Sequence, residues 1–487
     1  MENTWQKGIQ TQREECRDVD LNVQGEFPTW LDGTFIGNGP GQFEVGETAL
    51  EHWFDALAML RQIKITDGTA RYSNRFVRSE DFKAAREDDR VRRSLPGTPA
   101  SGSALRRLYQ ALAGGLQDNP SIGVTRMNEK LYAVTESPVG LEIDPKTLET
   151  TDRRDLTTGL ESDITLGHTH FEGNTQWGMG ATFGSECAYT LFRRSEGNSP
   201  KPISRLQFDE HPPYIHAFAL TEQYAVIPES SFGVNFRKLL FDTARGGTFL
   251  DAFASRDCQS QFHIIDRTTG ERTAAVSADP FLIYHFANAY EESKSEAESE
   301  SESESESIVV DCVRFDDITA ITDLTVENLR SEDPDLPEGD FVRYRLPLEG
   351  GTAERERLFR GPVEFPTINY DAYNARSYQY AYLAATDAGG LPTAIAKVDV
   401  EQTTAQRWSE DGLHPGEALF VPAPEPTAED DGVLLSLATD GYDERSVLLC
   451  LDAETMTEQA RAVLPHRVPY GFHGQFYETS NPTRSMA

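Results

Sequence analysis

Four histidines stand in similar surroundings at widely separated points of the 487-residue chain. Each lies in or beside a run of apolar and aromatic residues, and the four are His168 in LGHTHFEG, His216 in PYIHAFAL, His285 in LIYHFANAY and His473 in YGFHGQF. The neutral imidazole ring is a good ligand for iron, zinc, copper or nickel. Four rings from distant parts of the chain can therefore build one metal site, provided that the fold brings them together.

The same residues allow a plainer interpretation, because a single histidine in an apolar run is more often a hydrogen-bonded core residue than a metal ligand. His170 stands two residues from His168 and competes with it for the first position. His52, in EHWFDALAML, is a further candidate, and we expect it to make hydrogen bonds beneath the site instead. The spacing of the histidines alone does not decide between a metal site and a set of core residues.

Three isolated acidic residues are candidate partners of these rings. Glu136 lies in LYAVTESP, Glu364 in GPVEFPTINY and Glu417 in HPGEALFVP, each within an apolar run where an unpaired charge is costly. A carboxylate that accepts a hydrogen bond from the free N–H of an imidazole fixes the orientation of the ring and offsets the charge of a bound cation. We therefore expect the three glutamates to hold the histidine rings.

A hairpin pattern that recurs along the chain predicts the elements that must position these residues. In each copy an alternating apolar segment ends at an aspartate, a threonine follows three or four residues later, and a second strand-like segment comes next; the aspartates are Asp144, Asp266, Asp399 and Asp452. An aspartate side chain can bond the turn backbone and set the reversal. Such repeats predict an all-β protein of repeated units, such as a propeller, although their irregular spacing leaves the number of blades open. In a propeller the inner strands converge on the axis, where histidines from four blades can meet.

One segment of low complexity interrupts this pattern. Residues 291–307 repeat glutamate and serine and contain too few apolar side chains to offset the entropy of ordering. We predict that they form a disordered, over-long hairpin loop within a single domain that spans residues 1–487.

A second segment, SALRRLYQALAGGL at residues 103–116, has the spacing of an amphipathic helix with Ser103 as its N-cap. The apolar residues on one face are Leu105, Leu108, Tyr109, Leu112 and Leu116. This helix either packs on the body of the protein or presents an apolar face to a lipid surface.

Acidic residues dominate the composition, with 80 aspartates and glutamates against 45 lysines and arginines and a net charge of −35. Only nine of the basic residues are lysines. Many carboxylates and few lysines suit a cytosol of molar salt, where the Debye length is about 3 Å and surface repulsion is screened. We therefore predict a halophilic, haloarchaeal protein; the alternative is an acidic surface that serves solubility alone. Either way, the charge argues against a nucleic-acid partner.

The five cysteines, Cys16, Cys187, Cys258, Cys312 and Cys450, are scattered and form no C-x-x-C pair. They therefore predict neither a zinc ribbon nor a disulfide scaffold, and reduced thiols in a cytoplasmic protein are the expectation. The N-terminal residues lack the apolar region of a signal peptide, and the chain has no run of 18 apolar residues.

Taken together, seven stretches resemble the carotenoid cleavage oxygenase family along nearly the whole chain. The likeness is closest to the animal-type branch, which includes the β-carotene central-cleavage enzyme and the retinoid isomerase of the retinal pigment epithelium. The stretches, in order, are PTWLDGTFIGNGPGQFEVGE, HWFDALAML, LYAVTES, YHFANAYE, VEFPTINY, EDDGVLLSL and VPYGFHGQF.

This resemblance implies a seven-bladed β-propeller with a cap of loops and short helices over an axial Fe(II). The implied ligands are His168, His216, His285 and His473, and the glutamates implied to hold them are Glu136, Glu364 and Glu417. The resemblance also favours His168 over His170, since the first histidine of the family's A-H-P-H stretch is the ligand. It implies no catalytic residue beyond the metal centre.

Several positions depart from the family pattern. Gly37 in GNGP stands where the family has arginine, Ala56 follows HWFD where the family has glycine, and Thr169 replaces a proline after the first implied ligand. In addition, ESP replaces E-T-N, and GEALF replaces S-E-P-I-F. None of these changes removes an implied ligand or glutamate, but they leave the substrate and the bond that is cleaved open.

The resemblance implies a dioxygenase that uses O2 to cleave a double bond of a carotenoid or apocarotenoid into aldehydes, with central cleavage of β-carotene to retinal as one option. The alternatives are eccentric cleavage, cleavage of a stilbene-like phenol, the isomerase reaction, and a propeller that binds a carotenoid or retinoid without turnover. Because the polyene must leave a membrane, the implied protein makes peripheral membrane contact, and residues 103–116 are the expected docking helix.

Overall fold

The computed structural model describes residues 4–107, 116–127, 129–184, 186–209, 211–243, 245–292, 307–386 and 391–479. Seven sheets of four or five strands, described here as blades 1 to 7, form a ring in this part of the chain, and their strands pair antiparallel except for one short outer strand in blade 4. The short inner strands of most neighbouring blades contact each other around one axis. This architecture confirms the all-β propeller and the seven blades implied by the sequence.

Each blade is given from its innermost strand outwards. Blade 1 comprises Gly474–Glu478, Gly33–Gln42, Leu57–Thr66, Thr69–Phe76 and Cys16–Asp20. Blade 2 comprises Gly123–Met127, Lys130–Val134, Val139–Ile143 and Thr150–Asp155. Blade 3 begins with two short inner strands, Ile164–Thr165 and His170–Glu172, and continues with Thr175–Thr182, Cys187–Ser195 and Lys201–Phe208. Blades 4 and 5 comprise, for blade 4, Ala219–Leu220, Tyr224–Glu229, Ser260–Asp266, Arg272–Ala278 and Gly351–Thr352; for blade 5, Leu282–Glu292, Ser307–Phe315, Asp340–Pro347 and Glu354–Arg357. Blades 6 and 7 comprise, for blade 6, Val363–Thr367, Tyr380–Ala385, Ala394–Asp399 and Thr404–Ser409; for blade 7, Leu413–Pro422, Gly432–Asp440, Arg445–Asp452, Glu458–Val463 and Asn22–Gly25.

The hairpins with an aspartate at the turn occupy one position in four blades. Each connects the third strand to the fourth in blades 2, 4, 6 and 7. The carboxylate Oδ1 of each aspartate accepts backbone N–H groups of the turn, as at Asp144, which accepts from Lys146 at 2.7 Å and Thr147 at 3.0 Å. The same bonds recur at Asp266, Asp399 and Asp452. The prediction of a repeated hairpin is therefore confirmed.

The hydrophobic core lies between the faces of adjacent blades. Between blades 4 and 5, for example, the rings of Phe262 and Tyr344 are 5.0 Å apart. Between blades 1 and 7, one cluster joins the buried side chains of Tyr72, Leu448 and Phe476. These layers hold neighbouring blades against each other.

Two exchanged strands close the ring. Strand Asn22–Gly25, near the start of the chain, is the outermost strand of blade 7, where it pairs with Glu458–Val463. Strand Gly474–Glu478, near the end, is the innermost strand of blade 1, where it pairs with Gly33–Gln42. His473 immediately precedes this last strand, so closure of the ring places the histidine at the axis.

Short helices and loops connect the strands of the propeller, and several of them form a cap over one end of the ring. The helices are Glu80–Glu87, Phe236–Thr243, Thr319–Thr322, Val326–Leu329 and Tyr370–Tyr373, and the 3₁₀-helices are Thr4–Ile9, Trp53–Asp55 and Leu250–Ala252. Two small ribbons, Glu44–Val45 with Thr48–Ala49 and Phe232–Val234 with Phe253–Ser255, complete the described elements. Within the described ranges, no helix has both the length and the apolar character needed to span a bilayer.

The two segments that interrupt the sequence pattern lie largely outside the described residues. For the predicted helix at 103–116, residues 104–107 are helical, and the N–H of Arg106 donates to the hydroxyl of Ser103 at 3.4 Å, as expected of an N-cap. Residues 108–115, with Leu108, Tyr109 and Leu112, are outside the description. The glutamate–serine segment is outside it from 293 to 306, but the flanking strands of blade 5 pair as a hairpin, with Glu292 opposite Ser307.

Because the C-terminal strand closes the ring of blades, a cavity created by truncating one of its buried side chains is expected to destabilise the fold. Phe476 is 1 % exposed in the layer between blades 1 and 7. Replacing Phe476 with Ala is expected to destabilise the fold by about 3–5 kcal/mol, because it removes buried apolar contacts and leaves a cavity. Thermal unfolding of Phe476→Ala should show a clearly lowered midpoint. Tyr442→Ala, a change at a residue that is 56 % exposed, should unfold like the parent protein; equal midpoints for the two variants would contradict the assigned closure.

Candidate metal centre

The structure brings four histidine side chains together at the propeller axis. His168 lies between the two short inner strands of blade 3, His216 precedes the inner strand of blade 4, His285 lies within that of blade 5, and His473 precedes that of blade 1. One ligand atom from each ring lies within 4.8 Å of those of the other three. Two imidazole nitrogens on opposite sides of a zinc-sized ion are about 4.2 Å apart. The arrangement is therefore close to the size that one ion requires.

The rings meet edge to face and do not stack on one another. The centroid of the His168 ring lies 4.7 Å from that of His216, 5.0 Å from that of His285 and 4.5 Å from that of His473. The interplanar angles are 61°, 69° and 89°, respectively. Rings in this relation point their nitrogen edges towards a common centre.

Glutamates hold three of the four rings from behind. Nδ1 of His216 lies 2.6 Å from Oε1 of Glu136. Nδ1 of His285 lies 2.6 Å from Oε2 of Glu364. An ionised carboxylate only accepts hydrogen bonds, so these contacts place the proton on Nδ1 and leave the Nε2 lone pair free for a ligand bond.

The third pair repeats this arrangement. Nδ1 of His473 lies 2.8 Å from Oε1 of Glu417, whose other oxygen accepts the N–H of Gly474 at 2.9 Å. The backbone of His473 is fixed as well, because its N–H donates to the carbonyl of Ile122 at 3.2 Å and its carbonyl accepts from Asn38 at 2.9 Å. Both the ring and the main chain of this residue are therefore held in place.

Irregularities in the inner strands coincide with the site. The pairing register shifts between Ile283 and Phe286 in blade 5, and between Glu364 and Thr367 in blade 6. A third shift, in blade 7, includes Glu417. A bulge of this kind redirects side chains that regular alternation would point elsewhere. Phe365, next to Glu364, also has a positive φ of 55°; strained backbone of this kind is typical of functional sites.

Two buried imidazole nitrogens that lack hydrogen-bond partners indicate whether the four rings fit a metal ion. Among the described residues, Nε2 of His168 and Nε2 of His285 are buried and have no hydrogen-bond partner. A buried polar atom left unpaired costs about 1–3 kcal/mol, and native proteins seldom retain one. A cation at the centre of the four rings would satisfy these atoms. The donor set therefore fits a metal that prefers imidazole.

Burial favours the neutral form of two of the rings, those of His168 and His285. It holds the pKa of His168 well below its ordinary value, and the neighbouring His473, His216 and His285 lower it further. Burial also lowers the pKa of His285, partly opposed by Glu364. The neutral form of imidazole is the one that binds metals, so both shifts favour ligation.

The two competing histidines use their nitrogens elsewhere. Nδ1 of His170 lies 2.8 Å from the hydroxyl of Tyr370, and Nε2 lies 2.8 Å from the carbonyl of Phe218. His52 accepts the N–H of Phe54 through Nδ1 at 3.2 Å and bonds the carbonyl of Ile321 through Nε2 at 2.8 Å. The latter residue is therefore the hydrogen-bonding residue that the sequence indicated, and burial lowers its pKa to about 4.

A large cavity of about 800 Å³ lies on one side of the group of four histidines, beneath the cap. Its walls are mainly apolar, and its aromatic residues are Trp53, Phe54, Phe183, Tyr189, Tyr214, Phe236, Phe249, Tyr284, Phe315, Phe365 and Phe472. The tyrosine hydroxyls bond to the protein, as Tyr189 does with Pro213 at 2.8 Å and Tyr284 with Ala320 at 2.9 Å. Their ring faces are therefore available to line an apolar chamber.

Two residues that support the site were not singled out from the sequence. Tyr214 donates its hydroxyl to Glu136 at 3.2 Å and lies 3.1 Å from Nδ1 of His216; its position two residues before a candidate ligand was the available signal. Arg61 is fully buried and donates to the carbonyls of Pro40 and Pro469. The signal for Arg61 was a charge inside the apolar run LAMLRQI. It pairs in register with Gly37 on the neighbouring strand.

Comparison of the chain with known proteins identifies the family to which it belongs. The family model described as retinal pigment epithelial membrane protein matches residues 9–478. The chain belongs to the carotenoid cleavage oxygenase family. The assignment from sequence motifs is thereby confirmed, and the match extends from the first 3₁₀-helix to the last strand of this oxygenase-family propeller.

Curated relatives cover almost the whole chain. It is 28% identical to the mitochondrial carotenoid-cleaving dioxygenase of Pongo abelii, covering 96% of this chain and 93% of that protein. It is 29% identical to the β,β-carotene 15,15'-dioxygenase of Mus musculus, covering 96% and 90%. It is 32% identical to the chloroplastic carotenoid cleavage dioxygenase 8 homolog B of Oryza sativa subsp. japonica, covering 95% and 83%.

Among solved structures, a mutant of the Synechocystis apocarotenoid oxygenase superposes with a TM-score of 0.84 at 24% identity, covering 98% of both chains. A cobalt-substituted form of the same oxygenase superposes with a TM-score of 0.82 at 24% identity, with the same coverage. At this identity, the likeness establishes the shared propeller fold.

The hydrogen bond between His285 and Glu364 predicts a measurable effect on metal affinity. Replacing Glu364 with Gln keeps the shape of the side chain but weakens its hold on Nδ1, so the metal affinity should fall about 10- to 100-fold. Competition for Co²⁺ with a chelator measures this affinity. Glu142→Gln, which removes a carboxylate paired with Lys130 on the surface, is the matched control and should bind like the parent. Parental affinity in Glu364→Gln would show that the carboxylate does not support a ligand.

Proposed function

We propose that this protein is a non-haem Fe(II) dioxygenase that uses O2 to cleave a double bond of a carotenoid or apocarotenoid into two aldehydes. The observation that carries the proposal is the position of the four-histidine ring at the floor of an apolar cavity of about 800 Å³. Cavities of this size enclose extended hydrophobic ligands. Membership of the carotenoid cleavage oxygenase family supports the same chemistry.

In this proposal, His168, His216, His285 and His473 hold the iron, and Glu136, Glu364 and Glu417 hold three of the rings. A bound Fe(II) ion supplies the activation of dioxygen, which the side chains of the protein cannot provide. The glutamates keep the rings oriented, and their negative charge offsets that of the cation.

The part played by the cavity is to position one double bond beside the metal centre and to exclude water. The aromatic walls at Phe54, Tyr284 and Phe472 contact one another edge to face above the ring, with Phe54 and Phe472 centroids 5.5 Å apart. Rigid walls of this kind hold a stiff polyene in one register, which converts an encounter into an oriented complex. The hydroxyl of Tyr284 bonds to the backbone, so this residue offers the substrate an apolar face.

The substrate and the bond cleaved are the finer part of the proposal. The mouse relative is named for β,β-carotene and the rice relative for carotenoid cleavage, while the structural neighbours include an apocarotenoid oxygenase. Central cleavage of β-carotene to retinal is the option we favour. Eccentric cleavage of an apocarotenoid, cleavage of a stilbene-like phenol and isomerisation remain as alternatives, as does a propeller that binds a carotenoid without turnover.

Iron content, oxygen uptake and product masses test the proposal. The purified protein should hold one iron per chain and consume O2 with β-carotene, lycopene or an apocarotenal, and the masses of the aldehydes identify the bond. His285→Ala should lose the metal and reduce turnover at least 1,000-fold, because one of four ligands is missing. The matched control, His466→Ala, removes a half-buried imidazole that lies outside the ring and should retain iron. A carrier would instead bind the polyene with no oxygen uptake, whether or not iron is present.

A second part of the proposal is peripheral membrane contact at the mouth of the cavity. Leu116, Phe236 and Leu239 are among the residues that line the cavity. In the same segments of the chain, Leu105 is 80 % exposed, Leu116 48 % and Phe241 69 %. Exposed large apolar side chains close together are typical of a surface that meets lipid.

The charge of this surface supports the same interpretation. Although the chain carries a net charge of −35, basic residues stand beside these apolar ones in the sequence, at Arg106, Arg107, Arg237 and Lys238. Basic side chains beside apolar ones favour an anionic lipid surface. Cytoplasmic localisation and a halophilic source remain predictions from composition.

Liposome binding checks this contact. The double variant Leu105→Ser with Phe241→Ser should bind anionic liposomes at least fivefold more weakly in a co-sedimentation assay, because it removes apolar area that enters the bilayer. Tyr442→Ser removes an exposed aromatic side chain outside this mouth and should bind as the parent does. Unchanged sedimentation of the double variant would exclude these residues as the docking surface.

A further inference from the structure

A second cavity lies along the propeller axis on the opposite side of the histidine ring. Its volume is about 140 Å³, and all seven blades contribute to its walls. It shares Ile122, His285, Phe365 and His473 with the large cavity, whereas His168 lines only the axial one and His216 only the large one. The four rings therefore form the partition between two chambers.

The two chambers differ in chemistry. The large cavity is predominantly apolar, whereas polar and apolar groups contribute about equally to the walls of the axial cavity. Polar side chains in the axial wall include those of Thr125, Thr169, Asn288, Asn374 and Gln475. A polyene requires the first kind of surface, and a hydrated ion requires the second.

One residue in the wall of the axial cavity has a hydroxyl group with no hydrogen-bond partner among the described residues. Thr125, on the inner strand of blade 2, is 6 % exposed, and its Oγ1 has no hydrogen-bond partner among the described residues. Most buried hydroxyls are paired, so an unpaired one that lines a polar cavity points to a partner from outside the protein, such as water or an ion with its water shell.

Desolvation decides which chamber a metal ion can cross. Moving a divalent cation through an apolar passage strips its water with no replacement, which costs many kcal/mol. In the axial cavity, hydroxyl and amide oxygens can replace part of the shell one group at a time. The strongly acidic chain also attracts cations to its surface.

We propose that the axial cavity is the route by which a hydrated divalent cation reaches and leaves the four histidines, and that the Thr125 hydroxyl binds the cation or its water shell transiently on this route. The inference rests on the proposed metal centre and assigns a separate path to its cation. Substrate occupies the large cavity, so the metal can be loaded from the other side whether or not substrate is bound.

Rates of metal exchange test this route, with Co²⁺ as the probe and metal-free full-length protein as the sample. Thr125→Leu obstructs the passage, so uptake of Co²⁺ and its release to a chelator should both slow at least tenfold. Affinity and the final content of one ion per chain should not change, because an obstacle on a path alters both rates equally. Thr125→Ser keeps the hydroxyl and should exchange at the parental rate.

A second obstruction and a control complete the design. Asn374→Phe narrows the same cavity from blade 6 and should slow exchange in the same way, so one variant remains informative if the other fails to fold. Leu239→Trp narrows the large cavity and should leave metal exchange unchanged. Parental rates in a folded axial variant, a change in affinity without slower release, or slow exchange in Leu239→Trp would each overturn the route. Failure of the parent protein to bind Co²⁺ at all would instead overturn the metal centre.

Discussion

The candidate site depends on three hydrogen bonds between glutamates and histidines that belong to different blades. Glu136 of blade 2 holds His216 of blade 4, Glu364 of blade 6 holds His285 of blade 5, and Glu417 of blade 7 holds His473 of blade 1. Each bond fixes a ring and also ties two blades together at the axis. Negative charge on these carboxylates offsets the charge of a divalent cation held by the rings. Metal binding and the integrity of the inner ring of strands are therefore linked.

Much of the site could be predicted from the sequence because its residues sit in short, unusual local contexts. A lone histidine or glutamate inside an apolar run is visible without a structure, and the hairpins that end at an aspartate show the repeated strands. The pairing of each glutamate with its histidine could not be predicted, since it joins residues that are 56 to 80 positions apart. The choice between His168 and His170 was open for the same reason: the Tyr370 hydroxyl that occupies His170 comes from 200 positions away.

Other features could not be predicted from the sequence because they depend on contacts between strands. Arg61, which pairs in register with Gly37, donates to the carbonyl of Pro469, close to His473 in the chain. A glycine at 39 makes room for it, since a Cβ there would lie 2.8 Å from the guanidinium. The bulges at His285, Glu364 and Glu417 are likewise invisible in the alternation pattern, because they arise from the twist of paired strands and from the demands of the site.

The position of His473 explains why a residue so near the end of the chain lies at the centre of the molecule. The last described strand pairs with Gly33–Gln42 and completes blade 1, so segments from both ends of the chain meet in this blade. The main chain of His473 lies between Ile122 and Asn38, the two residues that hydrogen-bond to it. Without this closure, His473 is not held at the axis with the other three histidines. The full donor set therefore exists only in the closed ring, so a metal held by all four rings binds the finished fold and stabilises its closure over the open forms.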